Sequence, residues 1–229
     1  MNNQEIEVKM EIKDEAQIEN IRKFLQENER QRLQNIMMKA IYYDTEEKFY
    51  QKHKIAYRVR QENECFVATY KSGKVNTQGV FERVEINKKV TNLNADISVF
   101  ADVDEVWNLI KETKDKKFMP IVITDFVREC MEINWLNSRV EIALDLGFVQ
   151  GNKRKSPICE VEIELKSGRI EDLLSLKNEL SEKFSSEPST VSKYKQRSIL
   201  AEQIECSAFF LFFKIFLDFS RIYKIYIEQ

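Results

Sequence analysis

Apolar and charged residues alternate through residues 4–13, with Glu5, Glu7 and Lys9 on one side and Ile6 and Val8 on the other. Strand side chains point alternately to opposite faces, so this period of two predicts a strand. Asp14 and Gln17 then form a capping-box pattern, and Ile18, Ile21 and Leu25 follow at helical spacing. A helix is predicted over 15–28. The stretch Ala40–Thr45 reads as a strand ending at a turn. Residues 55–61 and 64–71 read as a hairpin across Gln61–Asn63, and 80–87 as a strand with Arg83 and Glu85 on one face. Asp102 is placed to cap a helix that buries Val106, Leu109 and Ile110, with Trp107 packed beside them. Further strands are predicted near 120–133, 138–145 and 157–166, with Gly147 and Gly151 bracketing a loop or strand break. Leu173, Leu176, Leu180 and Phe184 form the apolar stripe of a helix over 170–184, and a turn is expected at Glu187–Thr190. Two strand-rich halves, each with helices, predict an α+β fold that is mainly β, its antiparallel strands closed into a barrel with flanking helices.

Composition fits a folded protein, with 43% hydrophobic and 32% charged residues. The net charge of −2 gives no basis for nonspecific attraction to nucleic acid, so the charges must be read by where they cluster. Four cysteines without C-x-x-C spacing and a single histidine, His53, argue against a structural zinc site. The polar start lacks a secretory apolar core, so a cytoplasmic location is expected. Residues 203–229 read as a separate aromatic, hydrophobic helix or tail following a domain over 1–202. Its apolar run, 208–219, is too short to cross a bilayer and is broken by Lys214 and Asp218. Packing on the domain, homodimer formation or peripheral membrane contact are the roles it suggests.

A single strand with one charged face is ordinarily a solvated strand. Here the pattern recurs at Arg58/Arg60, Lys71, Arg83/Glu85, Arg139/Glu141/Asp145 and Glu160/Glu162/Glu164/Lys166. Water-facing strands rarely use so much Arg and Glu and so little Ser, Thr or Gln. The alternative is a wet barrel with its charged faces turned inward. Clustered carboxylates repel one another unless a divalent cation lies between them, and their oxygens suit Mg²⁺ or Mn²⁺. Lys and Arg on facing strands would hold phosphate oxygens. Such walls can stabilise the charge that builds during attack on phosphorus. No Ser-His-Asp or Cys-His arrangement and no Walker-type glycine loop is evident.

These residues resemble the CYTH superfamily, the triphosphate tunnel metalloenzymes. The ExExK signature is matched by Glu5, Glu7 and Lys9, and a Tyr-Asp-Thr element by Tyr43–Thr45. Further matches are Arg58 and Arg60, Lys71–Gly73, Arg83 and Glu85, Asp125–Arg128, Glu141–Gly147, Ile158–Gly168, and Ser192, Lys193 and Arg197. The resemblance implies an eight-stranded antiparallel tunnel. It implies metal binding by Glu5, Glu7, Asp145 and some of Glu160, Glu162 and Glu164. It gives triphosphate binding to Lys9, Arg58, Arg60, Lys71, Arg83, Arg128, Arg139, Lys166, Lys193 and Arg197, with Glu85 and Glu141 also in the tunnel. Glu5, Glu7, Lys9, Arg58 and Arg60 are the expected catalytic set.

Family members hydrolyse inorganic triphosphate, thiamine triphosphate or RNA 5′-triphosphates, or are class IV adenylate cyclases. The elements at Glu141–Gly147 and Cys159–Gly168 look most like bacterial inorganic triphosphatases, so metal-dependent cleavage of inorganic triphosphate to pyrophosphate and phosphate is the leading expectation. Asn2, Asn3 and Gln4 stand where class IV cyclases carry a His-Phe element, which weakens the cyclase reading. Nucleoside or thiamine triphosphates would need a stacking residue at the tunnel mouth, for which Tyr43, Trp107 and Trp135 are candidates. Tyr57, Phe66, Tyr70 and Phe81 are expected outside the barrel wall. A non-catalytic polyphosphate-binding module is the remaining alternative.

Overall fold

The computed structural model describes residues 4–14, 16–28, 33–151, 154–184 and 187–188. Lys193, Arg197 and the hydrophobic segment 203–229 lie outside them. The strands are β1 (Gln4–Glu11), β2 (Gln34–Thr45), β3 (Ile55–Glu62), β4 (Cys65–Val75), β5 (Phe81–Val90), β6 (Phe118–Trp135), β7 (Ser138–Gly151), β8 (Arg154–Ser167) and β9 (Glu187–Pro188). The α-helices are α1 (Ala16–Asn28), α2 (Phe49–Lys52), α3 (Asp104–Thr113) and α4 (Ile170–Phe184). A 3₁₀ turn covers Ile97–Phe100.

The strand order β5-β4-β3-β2-β6-β7-β8-β1 closes because β1 also pairs with β5, and these pairings are antiparallel. The result is an eight-stranded barrel without free edges among these strands. β1 is the closing stave. Its residues 4–7 pair with 81–84 of β5, and residues 7–11 pair with 160–164 of β8. Of the turn expected at Glu187–Thr190, Glu187 and Pro188 instead form a two-residue strand beside Met10 and Glu11, where β1 has run past β5, and 189–190 lie outside the described residues.

The barrel turns its apolar faces outward, under the helices. Val8 and Met10 of β1, Ile142 and Leu144 of β7, and Val161 and Ile163 of β8 are buried against Ile21, Phe24 and Leu25 of α1 and Leu173, Leu176, Leu180 and Phe184 of α4. On the other flank Tyr57, Val59, Tyr70 and Ile86 pack with Phe100 and with Val106, Leu109 and Ile110 of α3. Each such side chain contributes about 1.5–3 kcal/mol when fully buried. With one face of each strand committed to these helices, period two sends the charged face into the barrel.

Several local expectations need correction. Gly147 does not break a strand but lies inside β7, where a Cβ would sit 2.3–2.4 Å from Asp125 O and from Phe126 Cα and Cβ. Its role is close approach of β7 to β6. Asp102 does not cap α3: the N-cap is Val103, without a side-chain bond, and Asp102 pairs with Lys88. Trp107 is 44% exposed and lies under Lys111 on the open side of α3. The Asp14 cap is present, its carboxylate accepting from Ala16 N at 2.9 Å, while Gln17 bonds to Asn20 rather than reaching back.

Candidate active site

The inward faces enclose one cavity of about 1040 Å³. Its lining includes Glu5, Glu7 and Lys9 of β1, Arg58, Arg60 and Glu62 of β3, Lys71 of β4, and Arg83 and Glu85 of β5. From the opposite wall come Arg128 of β6, Glu141 of β7, and Glu162, Glu164 and Lys166 of β8. The charges pair across strand boundaries. Lys71 lies 2.6 Å from Glu5 and 2.7 Å from Glu85, and Arg83 donates to Glu7 at 2.8 Å. Lys9 sits between Glu7, at 3.2 Å, and Glu162. Arg128 makes a two-pronged bond to Asp145, Nε to Oδ1 at 2.8 Å and Nη2 to Oδ2 at 2.7 Å, and also contacts Glu162. Lys166 spans Glu164 at 2.9 Å and Glu141 at 3.5 Å.

Deepest in the wall, Asp145, Glu160 and Glu162 each bring a carboxylate oxygen within 4.8 Å of the others. The three are at most 7% exposed. Asp145 faces Glu160 across β7 and β8, and Glu162 is the next inward residue of β8. Three hard oxygen donors at this spacing fit a small divalent cation of the Mg²⁺ or Mn²⁺ kind. Arg128 supplies positive charge at the same place.

Burial and neighbouring charge set the protonation states. Burial, followed by the adjacent Glu7 carboxylate, pushes the Glu5 carboxyl up to about 8. Glu85 shares a hydrogen bond with it. Burial there works toward the acid form but is outweighed by Lys71 and Arg58, which hold Glu85 below the usual range. Glu7 is lowered in the same way, burial being overcome by Lys9 and Lys71. Burial raises Glu164. Arg128 stays charged despite burial because Asp145 and Glu162 lift its pKa further.

Residues 3–196 match the CYTH domain family profile. The chain belongs to the CYTH domain family. It is 29% identical over 204 residues to an inorganic triphosphatase of Haemophilus influenzae, a match covering 87% of this chain and 56% of the relative, so the chain spans about half of that protein. Among solved structures, this CYTH domain superposes on a Hippeastrum protein described by a dominant triphosphatase activity, with a TM-score of 0.63, 17% identity, and coverage of 88% and 97% of the two chains. The PH1819 protein of Pyrococcus horikoshii gives a TM-score of 0.53 at 18% identity, with 87% and 99% covered. Both likenesses bear on the fold.

Most of the described residues expected from the CYTH pattern line the cavity, while Asp145 and Glu160 are buried in its wall beside Glu162. Arg139 does neither: its side chain is 57% exposed, paired with Glu132 at 3.1 Å near the β6–β7 hairpin. The alternation of β7 keeps Arg139 on the face of Glu141, but it is the second residue of the strand, next to the hairpin, where β8 carries Lys166 as an extra residue opposite the Arg139–Val140 step. The three late glutamates divide, Glu160 and Glu162 joining Asp145 while Glu164 faces Lys166. Glu5 and Glu7 fall outside that acidic group and engage Lys71 and Arg83. Tyr43 and Asp44 are architectural. The Tyr43 hydroxyl donates to Leu93 O at 2.6 Å, and Asp44 accepts from Thr45, Tyr50 and Gln51 N at 2.8–3.0 Å, fixing the start of α2.

Sequence reasoning missed the apolar part of the cavity. Met38, Tyr42, Phe81 and Phe126 line it, and Met38, Ala40, Tyr42, Val122, Phe126, Val149 and Ile158 form one cluster. Phe81 is thus inside the barrel, not outside, with Arg83 4.0 Å above its ring. Tyr43, Trp107 and Trp135 do not line the cavity. The signal that existed was register: Tyr42 pairs with Arg58 across β2 and β3, and Phe126 is two residues from Arg128.

Proposed function

We propose that the protein is a metal-dependent triphosphatase and that inorganic triphosphate is its leading substrate. The observation carrying this reading is the closed barrel whose cavity is walled by Lys and Arg, with a buried group of three carboxylates that reaches the cavity through Glu162. Asp145, Glu160 and Glu162 would hold the ion, with Glu5 and Glu7 available to a ligand sphere on the β1 side. When bound, Mg²⁺ or Mn²⁺ would neutralise phosphate charge and polarise a water molecule. Arg58, Arg60, Lys71 and Arg83 on β3–β5 would bind the phosphate oxygens and orient the chain of phosphates. Their fixed charges would stabilise the extra charge on nonbridging oxygens in the transition state. Glu5, Glu7 and Glu85 would keep these cations in place between turnovers.

A second reading gains from the structure. Tyr42, Phe81 and Phe126 give the cavity aromatic walls, and its volume leaves room beside three phosphates. Nucleoside or thiamine triphosphates are therefore the alternative substrates.

The test is phosphate release from inorganic triphosphate, ATP and thiamine triphosphate with Mg²⁺, Mn²⁺ or chelator, with cyclic AMP followed in the ATP arm. Hydrolysis that needs metal and is most efficient on inorganic triphosphate is expected. Higher efficiency on an organic triphosphate would move the assignment to the second reading. Tight binding without turnover in any arm would make this a polyphosphate-binding module.

A further inference from the structure

The cavity's buried and half-buried cations fall into two kinds. Lys9, Arg60, Lys71, Arg83, Arg128 and Lys166 each have a carboxylate within 4.0 Å. Among the described residues of this wall, Arg58 is the exception, with no carboxylate at that distance. Its Nη1 donates to the Tyr42 hydroxyl at 3.2 Å and its guanidinium lies 5.9 Å from the Tyr42 ring. Its Nε is buried and has no hydrogen-bond partner.

A buried charged donor without an acceptor is costly and rare in proteins. The residue that carries it lines a cavity walled by charged side chains. An incoming phosphoryl oxygen that meets this guanidinium has no carboxylate to displace. At Lys9, Lys71 or Arg128 the same oxygen competes with a carboxylate already in place. That competition eases only when something else, such as a divalent cation, takes the carboxylate.

Building on the triphosphate reading above, we propose that Arg58, positioned by Tyr42, is the metal-independent anchor of the substrate. The ion-paired cations join only as metal claims their acidic partners. Metal and triphosphate then strengthen each other's binding, and by linkage the factor is the same in both directions.

The experiment is titration calorimetry with diimidotriphosphate, whose bridging nitrogens resist hydrolysis, in chelator and in Mg²⁺. The variants are Arg58→Gln, Arg58→Lys, Tyr42→Phe and the charge-balanced double variant Lys71→Met/Glu85→Gln. Each variant is also checked by thermal unfolding. In chelator the wild type should bind measurably. Arg58→Gln should weaken that binding about tenfold or more, and Arg58→Lys less than Arg58→Gln. Tyr42→Phe should weaken it about threefold at unchanged Tm, and the double variant by less than about threefold. In Mg²⁺ the double variant should lose about tenfold as well, because its pair is then recruited.

Equal losses for Arg58→Gln and the double variant in chelator would overturn the anchor. So would wild-type binding seen only with Mg²⁺. If the wild type binds in neither condition, the triphosphate reading itself falls, which separates the two failures.

Discussion

Glu5 and Arg128 show what single residues do in this cavity. The unfolded chain loses the Glu5 proton near the ordinary value of 4.5, whereas the folded, metal-free protein keeps it to about pH 8. The stabilisation tied to that proton is therefore full below 4.5 and is lost as pH rises through 8. In chelator, Tm of the wild type should fall between pH 5 and 8, and Glu5→Gln should flatten that fall. Parallel curves for the two proteins would show that Glu5 is not the group involved. Arg128→Ala removes the guanidinium that Asp145 and Glu162 share and leaves Glu162 with Lys9. Breaking a buried pair from one side costs about 3–5 kcal/mol. Urea unfolding in chelator should show that loss, and Mg²⁺ should recover part of it, since a cation at the acidic group substitutes for the missing charge. The charged positions were legible because Glu5, Arg58, Arg83 and Glu162 each sit in a run of period two. Tyr42 and Phe126 were not, because Met38, Ala40 and Tyr42 put apolar residues on the inward face of β2, while Met37, Ile41 and Tyr43 share the outward face with Lys39. A strand with apolar residues on both sides carries no clear sign of which side is the lumen.

Whole elements were the more readable level. The helices α1, α3 and α4 appear where the 3.6-residue apolar stripe placed them. The strands around the hairpins run longer than expected, β4 to Val75 and β7 to Gly151, because a barrel wall must be spanned end to end regardless of local propensity. Gly147 was misread for a physical reason. A glycine inside a strand signals either a break or a close approach, and only the neighbouring strand decides between them. Gly147→Ala should cost about 1–3 kcal/mol, from the forced separation of β6 and β7. The measurement is equilibrium unfolding in urea. Because Phe126 is the residue struck and lines the cavity, the KM for triphosphate should rise together with the loss of stability. An unchanged midpoint would mean that β6 can yield without penalty. Tyr43–Thr45, matched as a family element, proves to be an anchor for α2 and the outer cluster, a role that sequence pattern alone does not separate from chemistry.

At the scale of the molecule the lumen concentrates opposite charges in one enclosed volume, and a ligand that binds only the folded arrangement must raise its stability. Mg²⁺ or Mn²⁺ should raise Tm saturably, with chelator reversing the shift. The effect should disappear in Asp145→Asn and Glu162→Gln if these carboxylates hold the ion; a full shift in both variants would place the ion elsewhere. Closure into a barrel was expected from the two strand-rich halves, but the closing strand was not, since no residue of β1 announces that it bonds on both edges. That double bonding also fixes when the N-terminal strand can settle. Its two neighbours are made some 75 and 150 residues after it, so during synthesis this strand emerges long before it can be seated on both edges. Until β8 arrives, Glu5, Glu7 and Lys9 have only part of their counterion set, and the lumen stays open to water along its whole length.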